Sequence, residues 1–273
     1  MSGRVAGLAC LVTGSTGIGA AVSERLVAEG ARVLVASRTA DHARDLAERL
    51  AADGGRAEWM AVDLSEEAGA AAAVAAVVEA FGRLDAVFSV AGGSGRRFGD
   101  GPVDALSGDA FDRTIALNLR SQALVGGAAT RQMLAQVPRG GGRGSIVLVS
   151  SVLATHPVPE LFATHAYAAA KGGIDALARA MAATYARHGI RVNVLAPGLT
   201  ETPMAARAAA DEATTAFAAI KQPLVGGFVA PGDVAEAALF LLSDEARAIT
   251  GQVLAVDGGW SVVAAGAAAA APT

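Results

Sequence analysis

Short runs of apolar, often β-branched residues alternate along the chain with longer stretches whose apolar positions recur at helical spacing. The short runs fall at 8–12, 32–36, 59–62, 84–90, 145–150, 191–196 and 252–256 and are predicted as strands. Several are apolar almost throughout, as in Ile146-Val147-Leu148-Val149, which is what a strand covered on both faces requires. Between the first two runs, Ile18, Ala21, Val22, Arg25 and Leu26 form an i, i+3, i+4, i+7, i+8 stripe that stops at Gly30, so a helix is expected to cross from strand one to strand two. This βαβ rhythm predicts an α/β fold with a parallel sheet. Gly-rich breaks at 92–101 and 139–144 read as surface loops, since similar units continue on both sides, and one domain is expected over 1–260. The remaining tail, 261–273, is Ala-rich without a polar face and is expected to be frayed or loosely packed.

Composition narrows the function. With 273 residues, 53% of them hydrophobic and 18% charged, the chain can bury a sizeable core by itself. A net charge of -4 and the lack of any basic run argue against nucleic-acid or anionic-membrane partners and leave small molecules. The single cysteine, Cys10, lies in an apolar run, has no disulfide partner in the chain and suits a reducing cytoplasm, the expected location. Thr13 and Gly14 break the first apolar run too early for a signal-peptide core, and no run reaches the roughly 20 residues needed to span a bilayer. No metal site is expected.

Two features carry chemistry. Residues 13–19 read TGSTGIG, directly after a predicted strand and before a predicted helix. Glycines there let the backbone turn tightly and approach a pyrophosphate, held by backbone N–H groups and the positive end of the helix dipole; the alternative is a tight turn without a ligand. Tyr167 opens the string YAAAK ending at Lys171, and in a helix these two side chains share a face. A carbonyl reductase needs a proton donor at the oxygen while hydride reaches the carbon, and a phenol is a poor base at neutral pH. Lowering its pKa by about 3 units needs roughly 4 kcal/mol of preferential phenolate stabilisation, which one ammonium and a positively charged nicotinamide ring could supply.

With these motifs the chain resembles the short-chain dehydrogenase/reductase family from about Gly7 to Trp260. The glycine turn, Asp63, Ala91-Gly92, Asn118, Ser151, Tyr167, Lys171, Pro197-Gly198 and Asp257-Gly258-Gly259 follow the family's order. The resemblance implies a Rossmann-type, doubly wound, seven-stranded parallel sheet with helices on both faces and strand order 3-2-1-4-5-6-7. It implies Tyr167 as proton donor or acceptor, Lys171 orienting the ribose and lowering the phenol pKa, and Ser151 hydrogen-bonding the substrate oxygen. Asn118 would hold a water linking Lys171 to solvent, or merely cap or kink its helix. Neighbouring strand residues point oppositely, so only one of Ser150 and Ser151 can serve, and Ser151 is the expected one. For the cofactor, Gly14, Ser15, Thr16, Gly17, Ile18 and Gly19 would line the pyrophosphate, Asp63 and Leu64 the adenine, Ala91 and Gly92 the middle of the site, and Pro197, Gly198, Leu199 and Thr202 the carboxamide end.

The end of the second strand, Val35-Ala36-Ser37-Arg38, bears on which dinucleotide is used. NAD-preferring relatives place a carboxylate at the station of Ser37, whereas a hydroxyl can donate to a 2'-phosphate and Arg38 offers a planar cationic fork. NADP(H) is therefore expected in preference to NAD(H). Three departures from the family stand out. Only Ser15 and Thr16 separate Gly14 from Gly17, one residue fewer than usual, which is expected to shift the phosphate contacts. The usual Asn-Asn-Ala-Gly is Ser89-Val90-Ala91-Gly92, removing a side-chain amide that braces the central strands. The stretch from Ser151 to Tyr167 is long and holds His156, Pro157 and Pro159, reshaping a substrate-side loop; His156 and His165 are read as loop or pocket-wall residues. The segment 199–229 would form a lid, Ala-rich with Met204, Phe217 and Phe228 as its larger apolar groups, suited to an apolar or amphipathic substrate such as a 3-oxoacyl, polyketide-like or cyclic ketone. Helices 107–137 and 160–188 and the strand 252–256 would pair copies into a homodimer or homotetramer. A silent nucleotide-binding scaffold on the same fold, or a dehydratase or epimerase, are the competing readings.

Overall fold

A computed structural model describes residues 3–264. Seven parallel strands run through its centre in the order β3-β2-β1-β4-β5-β6-β7. They are β1 (Ala9–Thr13), β2 (Arg32–Ser37), β3 (Arg56–Ala61), β4 (Ala86–Ser89), β5 (Gly144–Val149), β6 (Ile190–Pro197) and β7 (Val253–Val256). The first half of the chain adds α1 (Ile18–Ala28), α2 (Ala40–Ala52), α3 (Glu67–Phe81), α4 (Gly108–Ile115) and α5 (Ser121–Ala135). The second half adds α6 (Pro159–Phe162), α7 (His165–Tyr185), α8 (Ala206–Ala209), α9 (Glu212–Lys221) and α10 (Pro231–Leu242). The parallel α/β sheet is the one the βαβ rhythm predicts and its doubly wound order the one the resemblance implies, with strand ends displaced by at most three residues.

The continuous apolar runs pack on both faces. On one, Leu11, Val87, Ile146 and Val192 meet Val77 of α3, Met133 of α5 and Ile174 of α7. On the other, Val12, Val33, Phe88 and Leu195 meet Leu26 of α1, Leu46 of α2 and Leu239 of α10. Each fully buried Leu or Val contributes about 1.5–3 kcal/mol, so this sandwich supplies the rigidity on which strand ends can hold side chains in place. Strand β3 departs from the prediction: it starts at Arg56, not 59, because an edge strand leaves Arg56, Glu58 and Trp59 exposed and hides its start from an apolar count.

Three other expectations change. The 160–188 helix is two pieces, α6 and α7, separated by Ala163 and Thr164. The 107–137 segment is also interrupted, by a π-helical turn at Ala116–Arg120. Residues 261–263 are not loose: Ser261 N donates to Asp257 Oδ2 at 2.9 Å, Val263 N donates to Gly259 O at 2.9 Å, and Lys221 Nζ donates to Val263 O. The rest of the predicted tail, 265–273, lies outside the described residues.

The segment 199–229 is drawn together at its base by one side chain. Gln222 is fully buried; its Oε1 accepts from Leu199 N at 2.8 Å, and its Nε2 donates to Leu199 O and Gly227 O at 3.1 and 2.6 Å. A bridge between Thr200 and Val229 closes the same neck.

Candidate active site

At the carboxyl ends of the strands lies a cavity of about 900 Å³, near the upper end for ligand pockets. It runs from Gly14, Thr16, Gly17, Ile18 and Arg38, past Ala91 and Gly92, to Ser151, Tyr167 and Lys171, with Pro197, Gly198, Leu199 and Thr202 along the lid side. This is the crevice position ligands take on a doubly wound sheet.

The glycine turn leads directly into α1 despite its missing residue. Gly17 sits at φ 53, ψ -125, a backbone only glycine adopts readily, and α1 begins at once with no side-chain cap. A Cβ on Gly17 would lie 2.8 Å from Thr202 Cγ2, and one on Gly19 would lie 2.3 Å from Gly14 O. The first therefore keeps the turn open against the lid, and the second is a packing glycine behind it. Ser15 also lies behind the wall: its Oγ donates to Ser37 Oγ at 3.0 Å. Ser37 is thereby used as an acceptor and keeps its own proton to donate. Arg38 is exposed at the rim of the cavity.

Asp63 and Leu64 do not form part of the cavity wall. Asp63 Oδ1 accepts from Ser65 Oγ and Ser65 N at 2.7 and 2.9 Å, which with the charge of Arg38 holds its carboxyl below the usual range. Leu64 is buried in the core against α3. The missing asparagine after β4 is compensated from β1: Thr13 Oγ1 accepts from Val90 N and Ala91 N, both at 3.0 Å. Ser89 Oγ, at the position of the family's amide, is buried with no partner among the described residues.

The Tyr167 and Lys171 side chains project from the first turns of α7 toward the end of β5. Lys171 Nζ donates to Val149 O at 2.8 Å and stands 5.4 Å from the centre of the Tyr167 ring. Val149 is fixed in turn by Gln122, whose amide bonds both its N–H and its carbonyl at 3.0 and 2.9 Å. Ser150 Oγ donates to Lys171 O at 3.0 Å, while Ser151 lies beside the phenol and its Oγ accepts from Leu153 N at 3.2 Å. The expected lowering of the phenol pKa calls on a nicotinamide ring as well as Lys171; the protein by itself sets the opposite direction. Burial pushes Tyr167 up to about 12, with the Ser151 hydroxyl pulling the other way. Lys171 is itself pushed down to about 8 by burial, opposed by the charge of Asp175. Desolvation of the phenolate by the surrounding protein is thus the larger effect on this group.

Asn118 stands in the π-helical turn, fully buried, and its amide is committed: Oδ1 accepts from Gly93 N, and Nδ2 donates to Gly93 O and Thr114 O, each at 3.0 Å. A water bound at this residue would have to use its main-chain carbonyl. His165 Nδ1 accepts from Val103 N at 2.9 Å and His156 Nδ1 pairs with Thr155 Oγ1, so both are tied into loops.

At the far wall the sequence singles out Met204 and Phe217 but not Phe162 and Trp260. Trp260, 1% exposed, meets Phe162 at 6.2 Å and, edge-on, Phe217 at 5.2 Å between ring centres, and its Nε1 donates to His156 O at 3.4 Å. One aromatic seam thus joins the inserted loop, the lid and the C-terminal turn. Leu153, Leu161 and Met204 continue it, and Arg96, Arg97 and Arg207 add charge at the rim. No helix among the described residues is long and apolar enough to cross a membrane.

A nicotinamide dinucleotide fits what is present: a cradle at Gly14 and Gly17 that a Cβ would fill, a cation and a hydroxyl at the end of β2, and a phenol and ammonium at the other end. Comparison with known proteins agrees with this geometry. The family model described as enoyl-(acyl carrier protein) reductase matches residues 12–261. Cis-4-hydroxycyclohexanecarboxylate dehydrogenase of Sinomonas cyclohexanicum is 39% identical over 254 residues, covering 93% of this chain and 96% of that protein. D-threitol dehydrogenase of Mycolicibacterium smegmatis is 33% identical, covering 95% of each. Among solved structures, a gluconate 5-dehydrogenase from Burkholderia cenocepacia J2315 in complex with NADP and tartrate aligns with a TM-score of 0.86 at 30% identity, over 96% of this chain and 98% of that one. The chain belongs to the short-chain dehydrogenase/reductase family. It is an oxidoreductase acting on CH–OH and carbonyl groups of small molecules.

Proposed function

We propose that this chain interconverts a ring-borne secondary alcohol and its ketone with NADP(H) in preference to NAD(H). The observation that carries the reading is the convergence of Ser151, Tyr167 and Lys171 on one end of a cavity whose other end is the glycine turn and Arg38. When bound, the nicotinamide group donates or accepts the hydride. Tyr167, protonated at neutral pH in a surrounding that holds it near 12, gives a proton to the substrate oxygen in reduction and takes it back in oxidation. Ser151 donates a hydrogen bond to that oxygen, and Lys171, anchored to Val149 O, has further N–H donors for the ribose. The preference for a ring is supported by the aromatic seam of Phe162, Trp260 and Phe217, and by a relative named for a cyclohexane alcohol. Asp63 and Leu64 remain proposed only as supports behind the adenine end. Exposed Phe111, Leu134 and Leu254 give α4, α5 and β7 apolar surface to bury in a homodimer or homotetramer, which light scattering decides.

The cofactor reading is tested by kcat/KM for NADPH and NADH in the wild type and in Arg38→Leu. Losing a charge-assisted phosphate contact costs about 1.5–3 kcal/mol, so NADPH binding should weaken about 10- to 150-fold while NADH is little affected. A wild type that prefers NADH, or a variant with an unchanged ratio, overturns it. Failure to oxidise any of a panel of alicyclic alcohols overturns the substrate class.

A further inference from the structure

The helix that carries Tyr167 begins without a cap of its own, since Thr164 makes no side-chain bond to its first turn. The cap comes from far along the chain. Asp100, 7% exposed, accepts from Ala166 N through Oδ1 at 3.0 Å and from Tyr167 N through Oδ2 at 2.9 Å. Both oxygens of one carboxylate therefore hold two successive amides of the first turn, one of them belonging to Tyr167 itself. Two further bonds lock the same junction: His165 N donates to Gly101 O at 3.2 Å, and Val103 N donates to His165 Nδ1 at 2.9 Å. The loop bearing Asp100 is fixed at its other end by the Asn118 amide on Gly93, and Arg96 Nη2 reaches Leu161 O at 2.7 Å. Gly95 makes the fold of this loop possible, because a Cβ there would lie 2.7 Å from Asp100 Cβ and 2.3 Å from Thr114 Oγ1.

We propose that Asp100 is a positioning residue for proton transfer at Tyr167. Its bidentate grip sets the height and rotation of the first turn of α7 and ties that turn to the loop anchored at Asn118. Charge-assisted N–H···O⁻ bonds are about twice as strong as neutral ones, and an anion is favoured at a helix N-terminus. An Asn side chain offers one oxygen where the carboxylate offers two, so one of the two amides loses its partner. The phenol then drifts relative to the substrate oxygen, and a misplacement on the order of 1 Å costs about 10²-fold in rate. The inference rests on Tyr167 being the proton donor and acceptor.

The test uses the full chain as wild type, Asp100→Asn, Asp100→Ala and Tyr167→Phe. It measures kcat, substrate KM, the solvent deuterium isotope effect on kcat, NADPH Kd by fluorescence titration, and Tm. For Asp100→Asn the expected result is a fall in kcat of about 10- to 100-fold with a larger isotope effect, while KM and NADPH Kd stay within about threefold. Asp100→Ala should fall at least as far; if it does not fold, Asp100→Asn decides. Retention of kcat within about twofold overturns the proposal, and so does a kcat loss matched by equal loss of NADPH binding with no change in isotope effect. If Tyr167→Phe stays active, the underlying reading fails; if it is dead while Asp100→Asn is unaffected, only the role of Asp100 fails.

Discussion

The two walls of the cavity are built on opposite principles. The wall carrying Ser151, Tyr167 and Lys171 stands on the end of β5 and the start of α7, where each group is fixed by bonds to a rigid frame: Lys171 to Val149, Val149 to Gln122, Ser150 to Lys171 O. The wall of Phe162 and Trp260, backed by Phe217, is assembled from three separate segments joined by ring contacts and by single bonds such as Trp260 Nε1 to His156 O and Lys221 Nζ to Val263 O. Proton transfer tolerates little displacement, and groups proposed for it are well placed on strand and helix ends. An apolar surface needs only the right shape, and helices as short as α6 and α9 suffice to carry its aromatic groups.

If this division holds, changes on the first wall act on turnover and changes on the second act on affinity. Tyr167→Phe removes one hydroxyl and little volume; kcat should fall about 10²- to 10⁴-fold with NADPH Kd nearly unchanged, as steady-state kinetics and titration would show. Retention of more than about a tenth of the wild-type rate would mean that Tyr167 is not the principal acid. A second effect comes from the burial of Lys171, which brings its ordinary 10.5 down to about 8. Between those pH values the unfolded chain binds a proton that the folded chain does not, so folding stability contributed by this group rises with pH, by ~3 kcal/mol over the full window, and its cost is complete below pH 8. The unfolding free energy of the wild type relative to Lys171→Met should therefore climb between pH 8 and 10 in denaturant titrations; a flat difference would show that Lys171 is not held neutral in the folded chain. Tyr167, raised to about 12, acts in the opposite sense only above its ordinary 10. The smallest effect belongs to the second wall. Phe162→Ala should raise KM for a cyclic alcohol by about 3- to 10-fold, on the order of 1 kcal/mol, with kcat kept within about twofold. A loss in kcat instead would erase the distinction between the walls.

The first wall was also the legible one. Tyr167 and Lys171 are four apart on one helix, and the glycine turn sits at a strand-to-helix junction, so local spacing alone brings their groups together. The sheet was legible for the same reason, except at β3, where an exposed edge replaces the apolar run. What spacing does not encode is contact across the fold. Asp100 caps amides 66 and 67 residues away, and the break at Ala163 and Thr164 has neither Gly nor Pro to announce it; docking of His165 on Gly101 sets where α7 starts. Trp260 looks like an ordinary aromatic near the chain end until Phe162 and Phe217 arrive beside it. The upward shift that the protein by itself gives Tyr167 is not legible in the sequence, because desolvation is a property of the packed whole.

The clasp made by Gln222 draws the two ends of the segment 199–229 together at one buried amide, while Lys221 on Val263 and Phe217 on Trp260 hold it farther out. Because Leu199 and Gly227 meet at that amide, what lies between them leaves and rejoins the frame at one place, so a change in its length alters the closed loop and not β6. Each doubling of such a closed loop costs only about 0.6 kcal/mol in closure entropy. One frame can thus carry many different flaps, and novelty in what is bound is decoupled from the chemistry beneath it.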